Sequence, residues 1–216
     1  IFFMLFLGIE ALVVFGTNLA ISFAMMVPTA WNNFKNKRID FKLGILFLIS
    51  GAIIGPLFGG LLSESLSLEL LLLIVTILII VSGVLIFQAV HFPSKKTISN
   101  KTSNFKNIIA SVLNIGIGAL GGSVGMVLGA LRYPVMINYL KTDAKSASAT
   151  NSFINLIFTI FAFLGHLITS GITGNSHFDI KLFIPLGIAG FLGSYIGSKH
   201  VGKYSNRFIL KTLYVI

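Results

Sequence analysis

Cysteine is absent from this chain of 216 residues, which excludes disulfides, thiol catalysis and thiolate metal sites and leaves no redox clue to compartment. Negative charge is almost as scarce. Six Asp and Glu stand against 16 Lys and Arg, and charged residues of both signs make up 10% of the sequence, where a soluble domain carries about 25%. There is no HExxH motif and no pair of aspartates, so a zinc protease or a two-carboxylate hydrolase lacks its groups. No cofactor is expected.

What the sequence does have is apolar length. Hydrophobic residues make up 55% of it; the runs 43–63 and 70–90 each hold 21 residues without a charge, and 11–33 and 146–178 are longer. Each can cross a hydrocarbon core about 30 Å thick, which makes the chain an all-α polytopic membrane protein whose first partner is the lipid bilayer. A net charge of +10 in a soluble domain would suggest nucleic acid. Here the basic residues fall in short clusters between apolar runs, where they set membrane orientation, and no nucleic-acid partner is expected.

The chain also repeats itself. A shift of 133 residues lays Leu7 on Leu140, Glu10 on Asp143, Ala11 on Ala144, Thr17-Asn18 on Thr150-Asn151 and Ile21 on Ile154. A shift of 139 then lays Asp40, Lys42, Leu43 and Gly51 on Asp179, Lys181, Leu182 and Gly190, the difference being absorbed by the loop TSGITGNSHF. Chance produces Leu and Ile matches in apolar sequence, but ordered polar pairs are harder to obtain that way. Two transmembrane repeats are expected, 1–90 and 107–216, joined by a basic linker at 91–106. Helices are predicted at about 11–32, 41–62 and 67–90, then about 107–122 and 124–140 around a glycine break, 144–169, 180–198 and the start of one near 205. The chain opens on IFFMLFLG without a Met and stops at KTLYVI, so it is read as a fragment lacking the start of the first repeat and the end of the second.

As one helix, 107–140 would measure about 51 Å, too long for a single span. The stretch GALGGSVGMVLGALRYPVM at 118–136 offers a break at which two arms could enter and leave on one side. Loop charge favours that hairpin. With it, loops 31–42, 91–106, 141–145 and 199–211 share one side and hold 14 of the 16 Lys and Arg; a full crossing would split the loop charges 9 to 6. The four loops are therefore expected on the cytoplasmic face of the cell membrane. One hairpin plus three spans is an odd number of crossings, so the two repeats are expected to be inverted.

In an inverted pair, Thr17-Asn18 and Thr150-Asn151 approach the midplane from opposite faces, each about 11 Å along its helix, where such transporters keep their substrate. Ser22 follows Asn18 by one turn, and Ser148 and Asn155 flank Asn151 at helical spacing, extending both polar stripes. Thr and Asn also bridge membrane helices with no ligand involved. The glycine break adds Gly121, Gly122, Ser123 and Gly125, where unpaired N–H groups at the start of the second arm would attract an anion. Arg132 contributes a full positive charge, or alternatively snorkels to the interface. His166, in an uncharged run, is a candidate proton relay or a neutral structural group. The ladders Gly51/Gly55/Gly59 and Gly190/Gly193/Gly197 are read as close helix packing. GGSVG at 121–125 formally fits G-x-S-x-G, but that motif needs a strand–turn–helix, so no enzyme is expected.

The second repeat carries GMVLGALRYP, ASATNS, GHLITSG, FDIKL and GFLGSYIGSK, and the first carries VVFGTNL, RIDFKLG and GAIIGPLFGG. On these motifs the chain resembles the sulfite exporter TauE/SafE family of membrane transporters over nearly its whole length. The family's three consecutive glycines before the proline are reduced here to Gly129. The resemblance implies transport of sulfur-containing anions such as sulfite or organosulfonates. The expected function is secondary transport of a small anion by alternating access at a midplane site between the repeats. The alternatives are a non-transporting assembly or sensing protein, and an anion channel.

Overall fold

The computed structural model describes residues 6–91, 104–140 and 142–201. Its helices are α1 (Ala11–Lys35), α2 (Phe41–Phe47), α3 (Ile54–Leu62), α4 (Leu68–His91), α5 (Asn104–Ser123), α6 (Gly129–Pro134), α7 (Ala144–Thr173) and α8 (Ile180–Val201), with π turns at Leu48–Ala52 and Val135–Tyr139. No strand occurs among the described residues. Helices satisfy their own backbone groups, as lipid requires, and α1, α4, α7 and α8 are long and apolar enough to cross a membrane. The helix predicted near 205, residues 1–5 and most of the basic linker lie outside the described residues.

All three aspartates of this acid-poor chain begin helices. Asp40 Oδ1 accepts from the Leu43 N–H at 3.0 Å, Asp143 Oδ2 from those of Lys145 and Ser146 at 3.1 and 3.3 Å, and Asp179 Oδ1 from those of Lys181 and Leu182 at 2.7 and 3.3 Å. At the far end of α7, Gly174 in the left-handed conformation stops the helix.

The contacts give the helices their directions. Gly16, near the start of α1, lies against the His177 carbonyl just past the end of α7, while Asn33, near the end of α1, donates to Ser152 Oγ at 3.0 Å; α1 and α7 are antiparallel. Helix α8 runs alongside α1 in the same sense, from the Asp179 contact with Thr17 to Ser198, whose Oγ accepts from Asn32 at 2.6 Å. The rod formed by α2, its π turn and α3 runs alongside α7 in the same sense, from the Asp40 contact with Thr150 to Gly60 against Ala162 and His166. Two parallel pairs are therefore set head to tail.

In lipid, helices associate through van der Waals contact and hydrogen bonds, so small residues mark where they touch. The first glycine ladder behaves in that way: a Cβ on Gly51 would lie 2.6 Å from the Asn114 backbone, and one on Gly55 would lie 2.9 Å from the Ile115 carbonyl. In the second ladder Gly190 meets Met25, whereas no described atom lies within 4 Å of a Cβ on Gly193 or Gly197. Phe191, Leu192 and Ile196 of α8 are exposed as well.

Helix α5 climbs beside α3 until Ser123, where Gly125, at φ 62°, reverses the chain. The Met126 N–H then bonds back to the Gly121 carbonyl at 2.9 Å. The arm returns through α6 and the second π turn, bringing Tyr133 Oη within 3.2 Å of the Ala144 carbonyl, so both arms point to the same end of the bundle. Reversal takes up 124–128, and the second arm becomes helical at Gly129, later than the predicted 124. On the other side of the tip, Leu71, Val75 and Leu78 of α4 pack with Val14 and Phe15 of α1 and with Val124, Leu128 and Leu131.

A Cβ on Gly125 would strike the Phe15 backbone at a left-handed φ, and the φ alone costs about 1–2 kcal/mol. Gly125→Ala is expected to lower the thermal unfolding midpoint in detergent clearly. Gly171→Ala, with open space around it, is expected to leave that midpoint unchanged or slightly raised.

Candidate functional site

The returning arm carries one charged side chain into the interior. Arg132 is fully buried, with no snorkelling to an interface. Its Nε donates to Asn114 Oδ1 at 2.8 Å, and its Nη1 donates to Asn155 Oδ1 at 2.6 Å and to Asn151 Oδ1 at 3.1 Å. The guanidinium carbon lies 5.9 Å from the centre of the Phe158 ring. Nη2 is buried and has no partner. Among the described residues the ion pair is His177–Glu64, and Arg132 has no carboxylate.

Each amide is itself anchored to backbone. Asn114 Nδ2 donates to the Phe47 carbonyl at 2.6 Å, at the mouth of the π turn, where the widened helix leaves carbonyls outside the regular ladder. Asn151 Nδ2 donates to the Gly129 carbonyl at 3.0 Å. A Cβ on Gly129 would fall 2.6 Å from Asn155 Nδ2 and 2.7 Å from Asn151 Nδ2, so the glycine lets both asparagines lie across the arm.

The two Thr-Asn pairs divide their work in the same manner. Thr17 Oγ1 accepts the Asp179 N–H at 3.0 Å, and Thr150 Oγ1 accepts the Asp40 N–H at 2.9 Å, each tying a helix start from the other half of the chain. Asn18 Nδ2 donates to the Gly125 carbonyl at 2.8 Å, as Asn151 does to Gly129. Thr17 and Thr150 are thus engaged at helix starts, and Asn18 at the tip. Ser22 and Ser148 are partly buried and take no part in the Arg132 contacts. Gly121 and Gly122 pack against Met126 and Pro56, and Ser123 Oγ donates to the Leu120 carbonyl at 2.9 Å.

His166 is fully buried between two partners, the Gly122 carbonyl at 2.9 Å from Nε2 and His177 Nδ1 at 3.0 Å from its own Nδ1. His177 Nε2 lies 2.7 Å from Glu64 Oε1, which also accepts from Thr173 Oγ1 at 2.7 Å and Asn175 Nδ2 at 3.3 Å. The sequence reading missed Asn114, Glu64 and His177. Asn114 was detectable as the one amide of the glycine-rich apolar stretch 108–123, which in lipid must find a partner. Glu64 and His177 lie in connecting segments that carry no periodicity.

A cation buried without a counter-ion inside a membrane-spanning helical chain marks a functional site, and breaks in membrane helices are where solute transporters place theirs. The family described as Sulfite exporter TauE/SafE matches residues 1–216, the whole chain, and the protein belongs to that family of membrane transporters. No curated protein and no solved structure matches the chain.

Asn114→Leu leaves Arg132 Nε and the Phe47 carbonyl without their side-chain partner. A hydrogen bond to a charged group is worth about 1.5–3 kcal/mol, so the variant is expected to lose stability on that scale in thermal unfolding of the purified protein.

Proposed function

We propose that the protein is a secondary transporter that moves small sulfur-containing anions, sulfite or an organosulfonate, across the cell membrane, with Arg132 as the fixed charge that meets the anion. The observation that carries this reading is the state of the guanidinium: fully buried, solvated by three amides and unpartnered at Nη2. Amides offset the cost of desolvation without neutralising the charge. A buried, uncompensated ion costs several kcal/mol, and an oxyanion, which suits the planar fork of arginine, supplies the missing counter-charge.

Replacing a solvating amide by a carboxylate separates stability from binding. Asn155→Asp keeps the acceptor and adds the counter-ion. It is expected to preserve or raise the unfolding midpoint while weakening sulfite binding about 100-fold, equivalent to ~2.7 kcal/mol. Ligand-dependent thermal shifts with sulfite, sulfate, methanesulfonate and acetate provide the measurement. Wild-type protein stabilised by none of them would sink the reading.

The reciprocal Thr17–Asp179 and Thr150–Asp40 ties and the antiparallel α1 and α7 support two inverted repeats, 1–90 and 107–216, on either side of the 91–106 linker. Alternating access is then a rocking of one repeat against the other around the Arg132 site. The cytoplasmic assignment of the basic loops 31–42, 91–106, 141–145 and 199–211 follows from their charge. It is supported by the contacts that join Asp40 with Thr150 at one end of the bundle and Glu64 with His177 at the other. Because the chain has no cysteine, Ser65→Cys and Thr142→Cys each introduce a single thiol. An impermeant maleimide is expected to label the first from outside intact cells and the second only after permeabilisation.

A further inference from the structure

The chain of contacts from Glu64 to Gly122 takes the transporter reading, on which it rests, a step further. The Gly122 carbonyl can only accept, so His166 Nε2 carries a hydrogen. One hydrogen must lie between the two Nδ1 atoms, and another between His177 Nε2 and Glu64 Oε1. Three contacts need three hydrogens, whereas two neutral imidazoles and a carboxylate supply two. The observed geometry therefore holds one proton beyond that set. The hydrogen bond from His177, reinforced by those from Thr173 and Asn175, holds the Glu64 carboxyl below its ordinary value despite partial burial, in keeping with a carboxylate at the end of the chain of contacts.

We infer that Glu64, His177 and His166 form a site for one proton whose occupancy clamps the hairpin tip, and that this proton is the transporter's coupling ion. Entry is from the Glu64 end. The Glu64 side chain is 16% exposed and that of His177 is 0% exposed; Glu64 also lines a cleft of about 190 Å³ with Glu10, Ser63 and Leu66. Among the described residues, Glu10 lines that cleft, Glu69 follows Leu68 of its lining, and Asp179 and Lys181 follow His177 along the chain. The packed elements α3 and 120–131 contribute none.

Loss of the proton to solvent through the cleft leaves His177 with one ring hydrogen for two contacts. A hydrogen bond to a carboxylate is roughly twice as strong as a neutral one, so the hydrogen stays on Nε2. The two Nδ1 lone pairs then face each other, and the His166–His177 contact opens. Its two ends hold different parts of the machine. The His177 segment is tied to α1 through Asp179 and Thr17, and His166 holds Gly122, just before the reversal at Gly125. Deprotonation frees the tip from that segment on the Glu64 side.

A single thiol at the tip, from Ser123→Cys or Val124→Cys, reports this opening, since both positions are buried. Its maleimide labelling rate, divided by that of the unfolded chain at the same pH, is expected to rise with pH about tenfold per pH unit on its rising limb, the slope of one proton. Glu64→Gln removes the carboxylate's pull and can supply the third hydrogen, so in that background the thiol is expected to stay protected throughout. A purely structural Glu64 predicts the opposite, more labelling after its replacement. A flat profile, or a Glu64→Gln profile that matches or exceeds the parent's, overturns the site. In proteoliposomes with a trapped pH dye, a sulfite gradient is expected to move protons, and sulfite flux without them overturns the coupling. No sulfite flux together with a one-proton labelling slope supports the proton site and removes the sulfur-anion reading instead.

Discussion

The structure depends on keeping one guanidinium charged while fully buried among amides and away from any carboxylate. Arg132 is held by Asn114 from the ascending arm and by Asn151 and Asn155 from α7, so the hairpin and the long helix are joined through the cation. Neutral amides are the acceptors that permit this. Carboxylates there would bind more strongly and cancel the charge, and leucines would leave it unsolvated. The scarcity of acidic residues noted in the composition has its counterpart here: the aspartates are spent on helix starts and none is found beside Arg132.

Bringing those amides into reach requires backbones that almost touch. Gly51 and Gly55 let α3 and its π turn lie against α5, and Gly129 lets two asparagines lie across the returning arm. Gly125 supplies the left-handed turn at the tip, and Asn18 anchors its carbonyl. The π turn at Leu48–Ala52 belongs to the same arrangement, since Asn114 is oriented by the Phe47 carbonyl before it receives Arg132. Irregular backbone is tolerated at membrane depth only where protein surrounds it; the first π turn packs against α5 and α7, the second against α7, and the 124–128 reversal against α1 and α4.

Much of the helical layout was legible along the chain because its main signal, apolar length without charge, is local. The Thr-Asn repeat was legible as a pair of unusual polar positions. Its division of labour was not. Thr17 and Thr150 tie helix starts that lie 162 and 110 residues away in the sequence, and only the three-dimensional path of the chain shows which backbone each hydroxyl meets. Arg132 had two readings along the chain, interface or interior, because a side chain that long can reach either from the same backbone position. The start of the second arm was misjudged for a related reason: glycine content marks a break without marking how many residues the reversal consumes.

Composition and periodicity therefore determined that this protein is helical, membrane-embedded and interrupted near 121–129, since those properties follow from each residue's own transfer and backbone energetics. Which buried groups meet was decided by the tertiary structure alone. The Asn114–Arg132–Asn155 contact and the Glu64–His177–His166 chain join segments from different helices and loops, and a hydrogen bond of about 3 Å depends on where the backbones cross, which spacing along one chain does not encode.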